Sequence, residues 1–118
     1  MILIRKYTLQ AARKLTKINP GHICANLHGH TFQVTIKIEG PLNKENDFVM
    51  DFFDIDKIFN SSVFDFLDHK CLNDIDGLES PTTENLSIWI WNHLIKDLPL
   101  IEVSVFENNL YGCTYKGD

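Results

Sequence analysis

Cys24-Ala25-Asn26-Leu27-His28-Gly29-His30-Thr31-Phe32-Gln33-Val34-Thr35-Ile36-Lys37-Ile38 is the stretch that orients the rest of the chain. From Phe32 to Ile38 apolar and polar residues alternate strictly. Phe32, Val34, Ile36 and Ile38 point one way, and Gln33, Thr35 and Lys37 the other. That period predicts a half-buried strand with one polar face, ended by Gly40-Pro41. Upstream, the first fifteen residues are rich in Ile, Leu and Tyr and supply a partner strand across a loop that contains Asn19-Pro20-Gly21. Downstream of Asp51 the period changes: Phe52, Ile55, Ile58 and Phe59 fall at helical spacing, with Asp51 as N-terminal cap. A second helix follows the capping residues Ser80-Pro81-Thr82 and carries the stripe Leu86, Trp89, Ile90, His93 and Leu94. Ile101, Val103 and Val105 alternate as a third strand, and Asn108-Asn109 turns into a fourth with Tyr111, Cys113 and Tyr115. The predicted order is β-β-α-α-β-β: an α+β domain, an antiparallel sheet with helices on one face. The other face is not charged throughout, which invites burial by another subunit.

The chain has 118 residues, the size of one domain spanning 1–118, with 44% hydrophobic and 23% charged residues. Eleven Lys+Arg against sixteen Asp+Glu give a formal charge of −5. A duplex-DNA binder needs a basic surface to displace counterions, so no nucleic-acid partner is expected. Three cysteines are too few for a disulfide scaffold and point to reduced thiols in the cytoplasm. No apolar run approaches the roughly 18 residues that span a bilayer. In Met1-Ile2-Leu3-Ile4-Arg5-Lys6 the charges follow a short apolar stretch, the reverse of a signal peptide.

The chemistry-bearing residues cluster at the mouth of the second strand. His28 and His30, two apart on a strand, present both imidazoles to one side. They form half of a zinc site, or simply two surface histidines at a strand entrance. Gly29 between them leaves room for a ligand or another backbone. Cys24 is a nucleophile, a base, a third ligand or a small buried apolar side chain. In Asp68-His69 a carboxylate adjoins an imidazole, as a general acid/base requires, although neighbours in sequence need not touch. Thr82-Thr83-Glu84 reads most simply as a helix start. Glu107 shares the parity of the apolar residues of its strand, and a carboxylate there is costly without a donor. It suits either a clamp on a guanidine-like ligand edge or a salt bridge at the sheet end.

In combination these residues resemble the 6-pyruvoyl-tetrahydropterin synthase family, including its bacterial 6-carboxy-tetrahydropterin synthase branch. The resemblance runs through Leu9-Gln10-Ala11-Ala12, Cys24 to His30, Phe48-Val49-Met50-Asp51-Phe52, Leu67-Asp68-His69, Leu72-Asn73, Pro81-Thr82-Thr83-Glu84-Asn85 and Glu107. It implies the tunnelling fold and a homo-oligomer, a trimer or dimer of trimers, with active sites between subunits. It also implies a lyase that expels triphosphate from 7,8-dihydroneopterin triphosphate. The compact chain favours the 6-carboxy branch, which serves queuosine and deazapurine biosynthesis. Cys24 would be the proton-transferring thiolate, and Asp68 and His69 the acid/base pair reaching in from a neighbouring subunit. Glu107, helped by Thr82 and Thr83, would grip the pterin's amino-pyrimidinone edge. Zn2+ on His28 and His30 would polarise the side-chain hydroxyls.

One departure from the family bears on the chemistry. The family's Phe-x-Ala-Ala-His motif, whose histidine completes the zinc site, reads here Leu9-Gln10-Ala11-Ala12-Arg13. Arginine stays protonated and has no lone pair to donate. Three alternatives follow: another residue supplies the third nitrogen, Arg13 provides the positive charge in place of zinc, or the chain is a non-catalytic pterin-binding or oligomeric paralogue.

Overall fold

In the computed structural model, which describes Met1–Asp118, the alternating stretch extends over a longer hairpin than its cleanest part. Strand β1 (Ile2–Arg13) pairs antiparallel with β2 (His28–Glu39), in a register that sets Ile2 opposite Glu39 and Arg13 opposite His28. Helix α1 (Phe52–Phe59) starts where expected, and the Asp51 carboxylate accepts the Phe53 N–H at 2.8 Å. A π-helical turn over Asn60–Phe64 and a short α2 (Asp65–Leu67) prolong it. Helix α3 (Thr83–Leu94) is capped by Thr82, whose hydroxyl accepts the Asn85 N–H at 3.1 Å. Strands β4 (Leu100–Glu107) and β5 (Tyr111–Tyr115) form the second hairpin. Asn108 and Asn109 both have positive φ, 49° and 65°, at the centre of a three-residue connection in which the Leu110 N–H donates to the Glu107 carbonyl at 2.9 Å.

The four expected strands gain a fifth. Lys70–Cys71, β3, pairs parallel with Ala11 and Ala12 and extends the sheet to β3-β1-β2-β4-β5. Two residues carry no periodicity, so the sequence offered no sign of it. The alternation of Ile101, Val103 and Val105 is also broken at its start. The register shifts between Lys37 and Ile38, which aligns Ile38 with Leu100, and Leu100 rather than Ile101 enters the core.

Leu9, Phe32, Val34, Ile36, Val103 and Val105 on one sheet face pack against Ile55, Phe59, Leu86, Ile90 and Leu94 from the helices. Helices thus cover one face only. Arg13, His28, His30 and Glu107 share the parity of that inner face at its open end, and there the core gives way to polar chemistry.

Candidate functional site: a buried guanidinium beside two histidines

Arg13 is only 3% exposed, the sole charged side chain in the buried set. Its Nη2 is ion-paired with Glu107 Oε1. Its Nη1 donates to the Pro81 carbonyl at 3.0 Å and to Thr83 Oγ1 at 3.2 Å. The guanidinium carbon lies 5.1 Å from the Phe32 ring centroid, within cation–π range. Burial pushes the Arg13 pKa down, and the nearby Cys24 and Glu84 charges oppose that. A guanidinium so paired stays charged. Of the two roles open to Glu107, the sheet-end salt bridge is the one present, and its donor is a guanidine.

The two imidazoles meet edge to face, with ring centroids 4.6 Å apart. His28 Nδ1 donates to the Asn26 carbonyl at 2.6 Å, which leaves the lone pair on Nε2. His30 is set differently. The Asn108 Oδ1 accepts the Thr31 N–H, so its Nδ2 faces His30 Nδ1 as donor at 3.2 Å. That places the His30 proton on Nε2, 4.0 Å from Glu107 Oε1. Burial first, then the Arg13 and His28 charges, hold the His30 pKa below the usual histidine range.

Both Nε2 atoms are buried and without a hydrogen-bond partner, as is Arg13 Nε. Unpaired imidazole nitrogens are what two zinc ligands would show. The rest of the donor set does not fit. The third position is a permanent cation, the nearest carboxylate is bound to it, and His30 points a proton rather than a lone pair inward. Nowhere does a group of three His, Cys, Asp or Glu side chains assemble with metal-holding geometry.

The second cluster lies at the junction of α2, β3 and β1. Asp68 and His69 do touch: His69 Nδ1 donates to Asp68 Oδ2 at 2.5 Å. The other carboxylate oxygen accepts the Gln10 N–H at 2.9 Å, and the His69 N–H donates to the Gln10 carbonyl at 2.5 Å. His69 holds a left-handed φ of 60°, a backbone state that is uncommon away from glycine and concentrates at functional sites. The pair is therefore tied to β1, while the imidazole remains 77% exposed. It borders a cavity of about 540 Å³ lined largely by outward positions of β1 and β2, among them Gln10, Ala12, Gly29 and Thr31. Gly29 keeps this space open. An added Cβ would meet nothing nearer than the Ala11 carbonyl at 3.9 Å, so no backbone approaches it closely.

Cys24 sits in a 3-10 turn, Ile23–Ala25, half-buried and near enough to Arg13 for their charges to interact. Thr83 joins Arg13 directly, whereas the Thr82 hydroxyl is spent on the helix cap. Sequence reasoning missed Asn108, which fixes the His30 tautomer. It was legible only as a turn former, since its second role depends on β2 lying alongside.

The family model described as 6-pyruvoyl tetrahydropterin synthase matches residues 2–118. This chain belongs to that family. An Archaeoglobus fulgidus protein provisionally named 6-carboxy-5,6,7,8-tetrahydropterin synthase is 45% identical over 91 residues, 75% of this chain and 76% of its own. The dihydroneopterin monophosphate aldolase of Pyrococcus furiosus is 40% identical over 90 residues, 73% and 75% of the two chains. The 6-pyruvoyl tetrahydropterin synthase structure from Caenorhabditis elegans superposes with a TM-score of 0.90 at 26% identity, covering 100% of this chain and 96% of the other. Tetrahydropterin synthases are lyases, and the chain is thus a member of an enzyme family whose named relatives act on pterins. The α+β fold with helices on one face is the fold of those synthases.

Proposed function

We propose that this protein carries out proton-transfer chemistry on the side chain of a dihydropterin. Its substrate would be 7,8-dihydroneopterin triphosphate and its product a 6-carboxy- or 6-pyruvoyl-tetrahydropterin, with queuosine-type deazapurine biosynthesis as the destination. The observation that carries this reading is the Asp68–His69 pair. Asp68 accepts the Nδ1–H and so leaves the Nε2 lone pair free on the cavity side. His69 would take a proton from a side-chain carbon as the carbon–oxygen bond to triphosphate breaks, and return one to the product. The pyruvoyl product keeps all three side-chain carbons, whereas the carboxy product also requires water to cleave a carbon–carbon bond, the two outer carbons leaving as acetaldehyde. Cys24 would be the second proton carrier.

In one chain His69 shares its cavity with His30, while Arg13, His28 and Glu107 lie on the helix side and do not line it. A complete site therefore calls for a neighbouring copy, in a trimer or a dimer of trimers. Because the donor set does not fit zinc, the proton transfers fall to the side chains of His69 and Cys24.

The test is incubation of the purified protein with 7,8-dihydroneopterin triphosphate, following triphosphate release and identifying the pterin product by mass spectrometry. Release is expected, with a loss of about 100-fold or more in His69→Ala and in Cys24→Ala. Wild-type protein that binds a pterin yet releases no triphosphate would favour a second reading, a non-catalytic pterin-binding paralogue. The engagement of Glu107 by Arg13 is the observation on that side.

A further inference from the structure

Three oxygens converge on the Arg13 side chain: a carboxylate oxygen of Glu107, the Pro81 carbonyl and the Thr83 hydroxyl. Together they form a one-sided cradle of acceptors around a planar N–C–N group. The amino-pyrimidinone edge of a pterin presents the same pattern, an exocyclic amine and a ring N–H on one carbon. A carboxylate that takes two parallel N–H groups from a guanidinium takes them equally from that edge. Beside the cradle a cavity of about 210 Å³, lined by Thr83, Glu84, Glu107, Tyr111, Gly112 and Cys113, leads to the same carboxylate.

We propose that Arg13 is an internal occupant of the anchor for the pterin's amino-pyrimidinone edge. The chain holds its own guanidine where a ligand's would go, and an incoming pterin must displace it. This rests on the pterin assignment above and adds what that assignment does not contain: position 13 sets how tightly the ring is held. Two features support it. The guanidinium is fully withdrawn from solvent, as a bound ligand's edge would be, and Arg13 Nε is left without a partner. An arginine selected as a structural ion pair would ordinarily satisfy all its buried donors.

The experiment is equilibrium binding of neopterin to the full chain, followed by pterin fluorescence, with thermal melts to establish folding. Arg13→Ala and the bulkier Arg13→Met are expected to bind at least tenfold more tightly than wild type. Arg13→Ala/Glu107→Gln should lose that gain. Methylguanidinium added to Arg13→Ala should raise its melting temperature and compete with neopterin. Wild-type affinity equal to that of both single variants would overturn the proposal, as would a gain that survives Glu107→Gln. Stabilisation by methylguanidinium with no neopterin binding by any variant would remove the pterin assignment and leave the guanidine cradle standing. Absence of both would remove the cradle as well. Should both single variants fail to fold, the wild type decides alone: exchange protection of the Arg13 Nε–H must fall as neopterin saturates, and unchanged protection at saturation refutes displacement.

Discussion

At position 13 a guanidinium stands opposite His28 on the neighbouring strand, on the same face as His30. An imidazole there would offer a third nitrogen, remove a cation and release Glu107. Arg13→His is therefore expected to convert the cluster into a metal site. Zinc content after dialysis, measured by elemental analysis, should rise from below about 0.1 to about one equivalent per chain. No rise would show that His28 and His30 are not poised as ligands even when the cation is gone. That arginine cannot ligate is evident from its chemistry alone. Its pairing with Glu107 was not, because the two lie near opposite ends of the chain and meet only through the registers of β1 with β2 and of β2 with β4. The Asp68–His69 contact was half legible. Adjacency suggested it, and the left-handed backbone of His69 and the anchoring to Gln10 settle it.

Between elements, the attachment of α1 to β1 depends on a polar clamp as well as on the core. Asp56 accepts from Arg5 Nε at 2.9 Å, Arg5 Nη2 at 3.2 Å and the Tyr7 hydroxyl at 2.7 Å, while Tyr7 stacks on Phe59 with centroids 3.7 Å apart. The Arg5 hydrogen bonds chiefly, with help from Tyr7, hold the Asp56 pKa below its ordinary carboxylate value. The folded carboxyl thus ionises more readily than the unfolded one. Its stabilisation is complete above the unfolded value of about 4 and is lost as pH falls through the lower folded value. Asp56→Asn should lower the melting temperature at pH 7 and bring variant and wild type together only as pH falls through the depressed Asp56 value. Melting curves that stay parallel across that range would show that the clamp contributes no acid sensitivity. The start of α1 was legible because Asp51 caps it by side-chain chemistry local to the chain. The π-helical turn after it and the two-residue β3 were not, since tertiary pairing rather than a local pattern makes them.

As a whole the molecule is long, 57 × 24 × 23 Å. No helix covers the outer face of the sheet, and none is long and apolar enough to cross a membrane. Ile2 and Ile4 are 46% and 53% exposed on that outer face, and Phe106 is partly exposed there too. Apolar side chains on an uncovered sheet face fit the homo-oligomer proposed above. Light scattering coupled to size exclusion should report a multiple of the 13.6 kDa chain, three or six copies. Ile4→Glu should shift that mass downward. A wild-type mass of one chain would refute the assembly and with it a site shared between copies.

The strand order also leaves two borders of the sheet unfinished. β5 has a neighbour on one side only, and β1 is covered on its far side only at Ala11 and Ala12. Each border offers a row of N–H and C=O groups that any extended chain can read as a template. Copies joined border to border would close the sheet and satisfy both rows at once. Separated copies would expose them together, beside bare isoleucines, and the wrong strand could then pair as readily as the right one. Mild denaturant that separates the copies at constant protein concentration should accordingly promote aggregation, and assembly would then be a form of protection as well as a way to build a site.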